Sequence, residues 1–386
     1  VNSIAINNGL SSLPHMSLDF DLKQRDGSPD IGAYEFDPLF SKAWTGSASS
    51  EWDEGANWST GQIPDGSSNI LIPSNISSYP EISNTPASPA IIGSLNIEAA
   101  ASLNILSDGY LTVTGDFNNL AGEHGLVIHS TDISTGSVIH MTPNVVATIQ
   151  RYITGGWPSW DAGWHQISSP VVAQSIGAFT TGGSGNDYDF YGWQESSNTW
   201  INYKADSFHT WNEGDDFVTG RGYFVSYEQT QENLAFQGEV NVTDIGYTNL
   251  SNNIDQGKGW HLLGNPFASA IKWNNGDWNL SHVSGVAKIW SETGKSYLDI
   301  VPNEIIPQAQ GFFVQVQAAE NQLTIPASSR IHDASSWNKH PVEGRIALRA
   351  SPLDDSSWQT TSILQNAEAT YSFDFEYDAR FLPGYA

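Results

Sequence analysis

The chain has 386 residues, with 42 acidic side chains against 15 basic ones, a formal charge of −27 and no cysteine. That balance repels nucleic acid and anionic lipid and argues against nucleic acid as a partner, since phosphate recognition needs clustered Lys and Arg. The lack of Cys excludes disulfide and thiol chemistry, and no run approaches the ~20 apolar residues of a membrane-spanning helix, which argues against membrane insertion. Length alone gives two to three domains. Abundant Gly, Asn, Ser and Thr beside 15 Trp, 14 Tyr and 16 Phe read as extracellular all-β material.

Residues 1–40 carry Asp19-Phe20-Asp21, Gln24-Arg25-Asp26-Gly27 and Asp30-Ile31-Gly32-Ala33-Tyr34-Glu35. This string resembles the closing segment of parallel β-helix proteins of bacterial surfaces. The resemblance implies a β-helix body upstream, and so a chain that is part of a larger polypeptide.

Residues 41–145 open on Trp44, Trp52 and Trp58, the last after Asn57. Short apolar couplets follow at Leu95-Ile97, Leu103-Ile105, Leu111-Val113, Leu126-Ile128 and Val138-Ile139. The first three couplets begin eight residues apart and alternate internally, which predicts short strands of a small β-solenoid or a sandwich. The Trp-rich opening resembles a module frequent in secreted proteins of Bacteroidota.

Residues 146–340 say nearly the same thing twice. Gly163-Trp164-His165 recurs as Gly259-Trp260-His261, and Trp193-Gln194-Glu195 as Trp290-Ser291-Glu292. Gly222-Tyr223-Phe224-Val225 recurs as Gly311-Phe312-Phe313-Val314, and Leu234-Ala235-Phe236 as Leu323-Thr324-Ile325. The offset is 96 (164 to 260) and 97 (193 to 290), then 89 (222 to 311), so copy one carries extra residues near 208–219. Four ordered anchors predict two copies of one β-rich unit, at about 146–245 and 246–340. Alternation puts Tyr223, Val225 and Tyr227 on one face, as it does Phe312, Val314 and Val316. The expected fold is therefore all-β: tandem β-sandwich or jelly-roll-like units after a short solenoid or sandwich, with very little helix. The best helical candidate is Ala268–Trp273. Within residues 341–386, Glu368-Ala369-Thr370, Phe373-Asp374 and Tyr377-Asp378-Ala379 resemble the opening of the next domain of exported multidomain proteins, which implies the start of a further β domain.

Gly259-Trp260-His261-Leu262-Leu263-Gly264-Asn265-Pro266-Phe267, Gln310-Gly311-Phe312-Phe313-Val314 and Arg330-Ile331-His332 resemble a module that precedes the sorting tail of type nine secretion substrates. The resemblance implies export, an extracellular or cell-surface location and a multidomain parent. It implies no reaction.

Strings of known catalysts are missing: no Gly-x-Ser-x-Gly and no His-Glu-x-x-His. Gly294-Lys295-Ser296 lacks the leading Gly of a phosphate loop and reads as a hairpin turn. His165 and His261 sit at equivalent places beside Trp, which suits packing plus one hydrogen bond better than a base or ligand. Glu195 and Glu292 also correspond, and facing carboxylates at ~5–9.5 Å would suit glycoside hydrolysis. Glu213, Asp215 and Asp216 form the densest acidic loop, a candidate Ca²⁺ site although its spacing is not that of an EF-hand. No other cofactor is indicated. Trp157, Trp160, Trp211 and Trp278 fall outside the repeated anchors in polar segments, where rings can stack on sugars. Trp44, Trp52 and Trp58 could do the same, although their spacing favours a packed cluster. The resulting expectation is a non-catalytic accessory or adhesion segment that binds polysaccharide. The alternatives are a glycoside hydrolase or polysaccharide lyase, and a structural spacer.

Overall fold

A computed structural model describes residues 40–156, 163–181, 186–291 and 296–334, together with the backbone of two strands near the C-terminus. Strands β1 (Lys42–Ala43), β2 (Ile70–Ile72), β3 (Glu81–Ile82), β4 (Ala90–Ile92), β5 (Leu95–Ile97), β6 (Leu103–Ile105), β7 (Tyr110–Val113), β8 (Phe117–Asn119), β9 (Leu126–Ile128), β10 (Ser137–Ile139) and β11 (Val146–Gln150) wind a parallel solenoid of about three turns. Its three faces are β1-β2-β5-β8, β4-β7-β10 and β3-β6-β9-β11, each parallel throughout. The eight-residue spacing of the couplets is the walk from one face to the next. Like stacks on like: Ile82, Ile105, Ile128 and Ile149 form one continuous register, all essentially solvent-free. β-Branched residues suit this pleated, fully covered interior. At the first turn Trp44, Trp52 and Trp58 close the end, edge to face at 5.0 and 4.7 Å and at most 2% exposed. Their indole N–H groups donate to Ser78 O and, from Trp58, to Trp52 O. They are packing residues, not sugar platforms.

β11 belongs to two structures at once. It runs parallel to β9 on one side, and on the other pairs antiparallel with β17 (Ala235–Val240) of the first copy. That copy contains β12 (Trp164–Ser168), β13 (Val171–Val172), β14 (Tyr188–Gln194), β15 (Thr199–Asn202), the six-residue helix α1 (Asp206–Trp211) and β16 (Gly222–Tyr227). The second contains β18 (Ile245–Thr248), β19 (Trp260–Gly264), β20 (Ala270–Lys272), β21 (Asn279–Ser281), β22 (Ala287–Ser291), β23 (Ser296–Ile300), β24 (Ile305–Ile306), β25 (Gly311–Gln315), β26 (Gln322–Ile325) and β27 (Arg330–Ile331). A hairpin, β28 (Arg345–Ala350) and β29 (Gln359–Leu364), follows.

The duplication is structural. Sheet β12-β16-β14-β15 repeats as β19-β25-β22-β23, with His165 opposite Val225 and His261 opposite Val314. The extra residues of copy one hold α1, the single α-helix among the described residues. The helix expected at Ala268–Trp273 is instead strand β20. Ala270 and Ile271 pair there with Ile331 and Arg330, so tertiary pairing overrides a short local preference. Residues 1–39, Trp157, Trp160, Glu292 and most of 341–386 lie outside the described residues.

Candidate functional site

Each four-stranded sheet buries both faces. Tyr223, Val225 and Tyr227 enter the core of copy one; Phe312, Val314 and Val316 enter that of copy two, and all six are at most 1% exposed. The opposite faces meet each other. Phe224 meets Trp290 edge-on at 5.8 Å, and its counterpart Phe313 meets Trp193, the counterpart of Trp290, at 6.0 Å. Backbone contacts are equally reciprocal: Ser168 N–H donates to Ala309 O at 3.0 Å, and Gly264 N–H to Gly220 O at 2.7 Å. Bridges Ile167 to Gln310 and Arg221 to Leu263 complete the exchange. The copies are thus related like the halves of a twofold dimer within one chain. A Cβ on Gly222 would lie 2.2 Å from Leu263 O, which explains a glycine opening both repeated Gly-aromatic-Phe-Val strings.

The repeated polar anchors serve this architecture. His165 Nε2–H donates to Thr154 O at 2.8 Å, and His261 Nε2–H to the equivalent Ser251 O at 2.7 Å. Desolvation lowers the pKa of His261, so the ring stays neutral around pH 7. Glu195 is 3% exposed and its carboxylate accepts from Asn253 N–H (2.7 Å), Gly259 N–H (2.9 Å) and Ser251 Oγ (2.5 Å). It clamps the segment that leads into Gly259-Trp260-His261. A carboxylate saturated in this way positions a loop; it is not arranged to face a substrate.

The Trp candidates divide. Trp278 is 8% exposed, packs on Trp273 at 4.6 Å and donates its N–H to Lys272 O at 2.8 Å. It is a core residue of copy two, which corrects its assignment as an exposed platform: a polar segment brought the ring back inside. Trp211, half-buried at the end of α1, lies 4.6 Å from the Arg221 guanidinium and against the backbone of Gly192.

Glu213, Asp215 and Asp216 are exposed on the loop after α1. Asp215 pairs with His209, and the buried Asn212 amide donates to Gly214 O (3.0 Å) and Asp216 O (2.8 Å). Asn212 Oδ1 in turn accepts from Tyr223 OH at 2.8 Å and Arg221 Nη1 at 3.0 Å. Among the described residues, no three His, Asp or Glu side chains gather around one point as metal ligands would.

Residues 43–300 match the family described as a domain of unknown function, DUF8693. The chain belongs to this family. The DUF8693 match runs through the solenoid, the whole of copy one and copy two as far as β23, without a break at β11. No curated protein and no solved structure matches the chain significantly.

One cluster escaped the sequence reading as a functional element: Arg330 and His332, at the end of copy two, reach back onto the solenoid. Arg330 Nη1 donates to His140 O at 2.8 Å, and His332 contacts Ser137 Oγ at 2.8 Å and Thr112 Oγ1 at 2.9 Å. The Arg330-Ile331-His332 string was visible, but partners some 190 residues away were not.

Proposed function

We propose that the chain is a non-catalytic, rigid accessory segment of a larger secreted surface protein, in the manner of exported Bacteroidota proteins, and that it contacts polysaccharide. The observation that carries the non-catalytic part is the use made of Glu195, His165 and His261: each is spent on a structural hydrogen bond to backbone. The shared strand β11 and the reciprocal aromatic interface support rigidity. Glycan contact falls to Trp157, Trp160 and Trp211, by stacking on sugar faces. Ca²⁺ at the Glu213, Asp215 and Asp216 loop belongs to the same proposal. It predicts a rise in melting temperature with Ca²⁺ relative to chelator.

The purified chain is incubated with a panel of insoluble glycans, and both depletion of protein and release of sugar are measured. Depletion onto a polymer, reduced by Trp157→Ala, Trp160→Ala or Trp211→Ala without new reducing ends, is the predicted result. New reducing ends or an unsaturated product would instead make the chain a hydrolase or lyase. A spacer reading is favoured by one observation, the packing of Trp211 against Arg221 and Gly192. Neither depletion nor product would establish it.

A further inference from the structure

Copy two is fastened to the solenoid along one seam on its β4-β7-β10 face. Val138 N–H on β10 donates to Ala268 O at 2.9 Å. Below that bond, Arg330 on β27 holds His140 O, and His332 sits between β7 and β10 with each ring nitrogen on one hydroxyl, Ser137 Oγ and Thr112 Oγ1. Tyr110 covers the His332 ring edge to face at 5.7 Å. His140 is 1% exposed and lies edge-on to Phe117 at 5.2 Å; its ring nitrogens make no well-aligned hydrogen bond, and the nearby Thr142 backbone, which favours the protonated ring, is outweighed by burial. Two buried imidazoles therefore sit in this contact between copy two and the solenoid.

We infer that this seam is an acid-sensitive latch: protonation of His140 and His332 opens the contact between solenoid and copy two while the aromatic interface between the copies stays closed. A second proton on the His332 ring removes its acceptor. A proton on His140 places a cation in an apolar site beside Arg330. Burial holds both rings at about 4, well below the ordinary histidine value, with Arg330 adding to the effect at His140. The other charged or titratable groups facing the pair are Asp244 near Arg330, Tyr110 on β7, Asp108 before it and Asp333 beside His332. An opened seam returns both rings to water, so the open form binds protons more readily between pH 6.5 and 4. Opening is thus suppressed above pH 6.5 and grows as pH falls through that window. The inter-copy face is held by aromatic rings, backbone bonds and side-chain bonds such as Trp290 N–H to Gln166 Oε1. Its titratable link is the Glu195 carboxylate on Ser251, Asn253 and Gly259, and among the described residues no histidine pair lies between the copies.

Hydrogen exchange of the intact chain, corrected for the intrinsic rate at each pH, reads the latch at the Val138 amide. Protection there falls by at least about 100-fold from pH 6.5 to 4, the change one such histidine gives and two exceed, while Phe224 and Phe313 amides keep theirs. In the double variant H140L/H332Q, whose Leu cannot charge and whose Gln still donates and accepts, the fall is under about 10-fold. NMR titration of the two imidazoles in the unaltered chain supports the latch if they titrate together with the loss at Val138. Unchanged Val138 protection down to pH 4 would overturn the latch. So would simultaneous loss at Phe224 and Phe313, or an undiminished fall in the double variant.

Discussion

Glu195 and Trp278 show how a side chain's neighbours, rather than its type, assign its role. Glu195→Gln leaves one carbonyl oxygen where two charged oxygens accepted three bonds, and is expected to cost about 2 kcal/mol. The shift in urea midpoint measures it, and an unchanged midpoint would show that the clamp on Asn253 and Gly259 contributes nothing. Trp278→Ala empties a site packed by Trp273 and Phe312 and is expected to cost about 3–5 kcal/mol. Trp211→Ala, at a half-exposed ring, should cost clearly less; equal costs would contradict the difference in burial. Residue type misled at Trp278 because a ring in a polar segment can fold inward when its N–H finds a carbonyl, here Lys272 O. At His165 and His261 the sequence pointed to packing plus one hydrogen bond, and both rings make such a bond to equivalent carbonyls.

Strands and turns were far more legible. The couplets from Leu95 to Ile139 are β5, β6, β7, β9 and β10, because a two-residue period with branched apolar residues has few other uses. The choice between solenoid and sandwich was not legible, since parallel stacking joins residues some 22–25 positions apart (Ile70 to Leu95, Leu95 to Phe117) that share no local pattern. The repeat announced two copies, but not that Phe224 and Phe313 turn outward to seal one against the other. A strand such as Gly222–Tyr227, apolar on both faces, hides which face meets what. This interface makes specific demands. Gly222→Ala and Gly264→Ala place a Cβ at 2.2 Å from Leu263 O and 2.1 Å from the Ser168 Cβ. Each is expected to destabilise by more than about 2 kcal/mol, whereas Gly246→Ala on the open strand β18 should stay within about 0.5 kcal/mol. Because the contact is reciprocal, Phe224→Ala and Phe313→Ala should cost similar amounts, about 3–5 kcal/mol each. Calorimetric melting of the five variants checks this, and a large loss at only one of the two Phe positions would break the twofold reading.

At the scale of the molecule, a shared strand, a reciprocal interface and the Arg330–His332 seam join solenoid, copy one and copy two into a closed set of contacts. A formal charge of −27 works against that compactness by self-repulsion. Raising ionic strength from low to physiological salt should therefore raise the melting temperature, and a fall would show that attractive pairs outweigh the net charge. The central claim is that these three parts form one rigid body whose polar anchors serve structure. Scanning calorimetry of the intact chain at pH 7 tests it most directly. The account predicts that residues 40–334 melt in one transition with matching calorimetric and van't Hoff enthalpies. Separate melting of copy two, away from the solenoid and copy one, would contradict it.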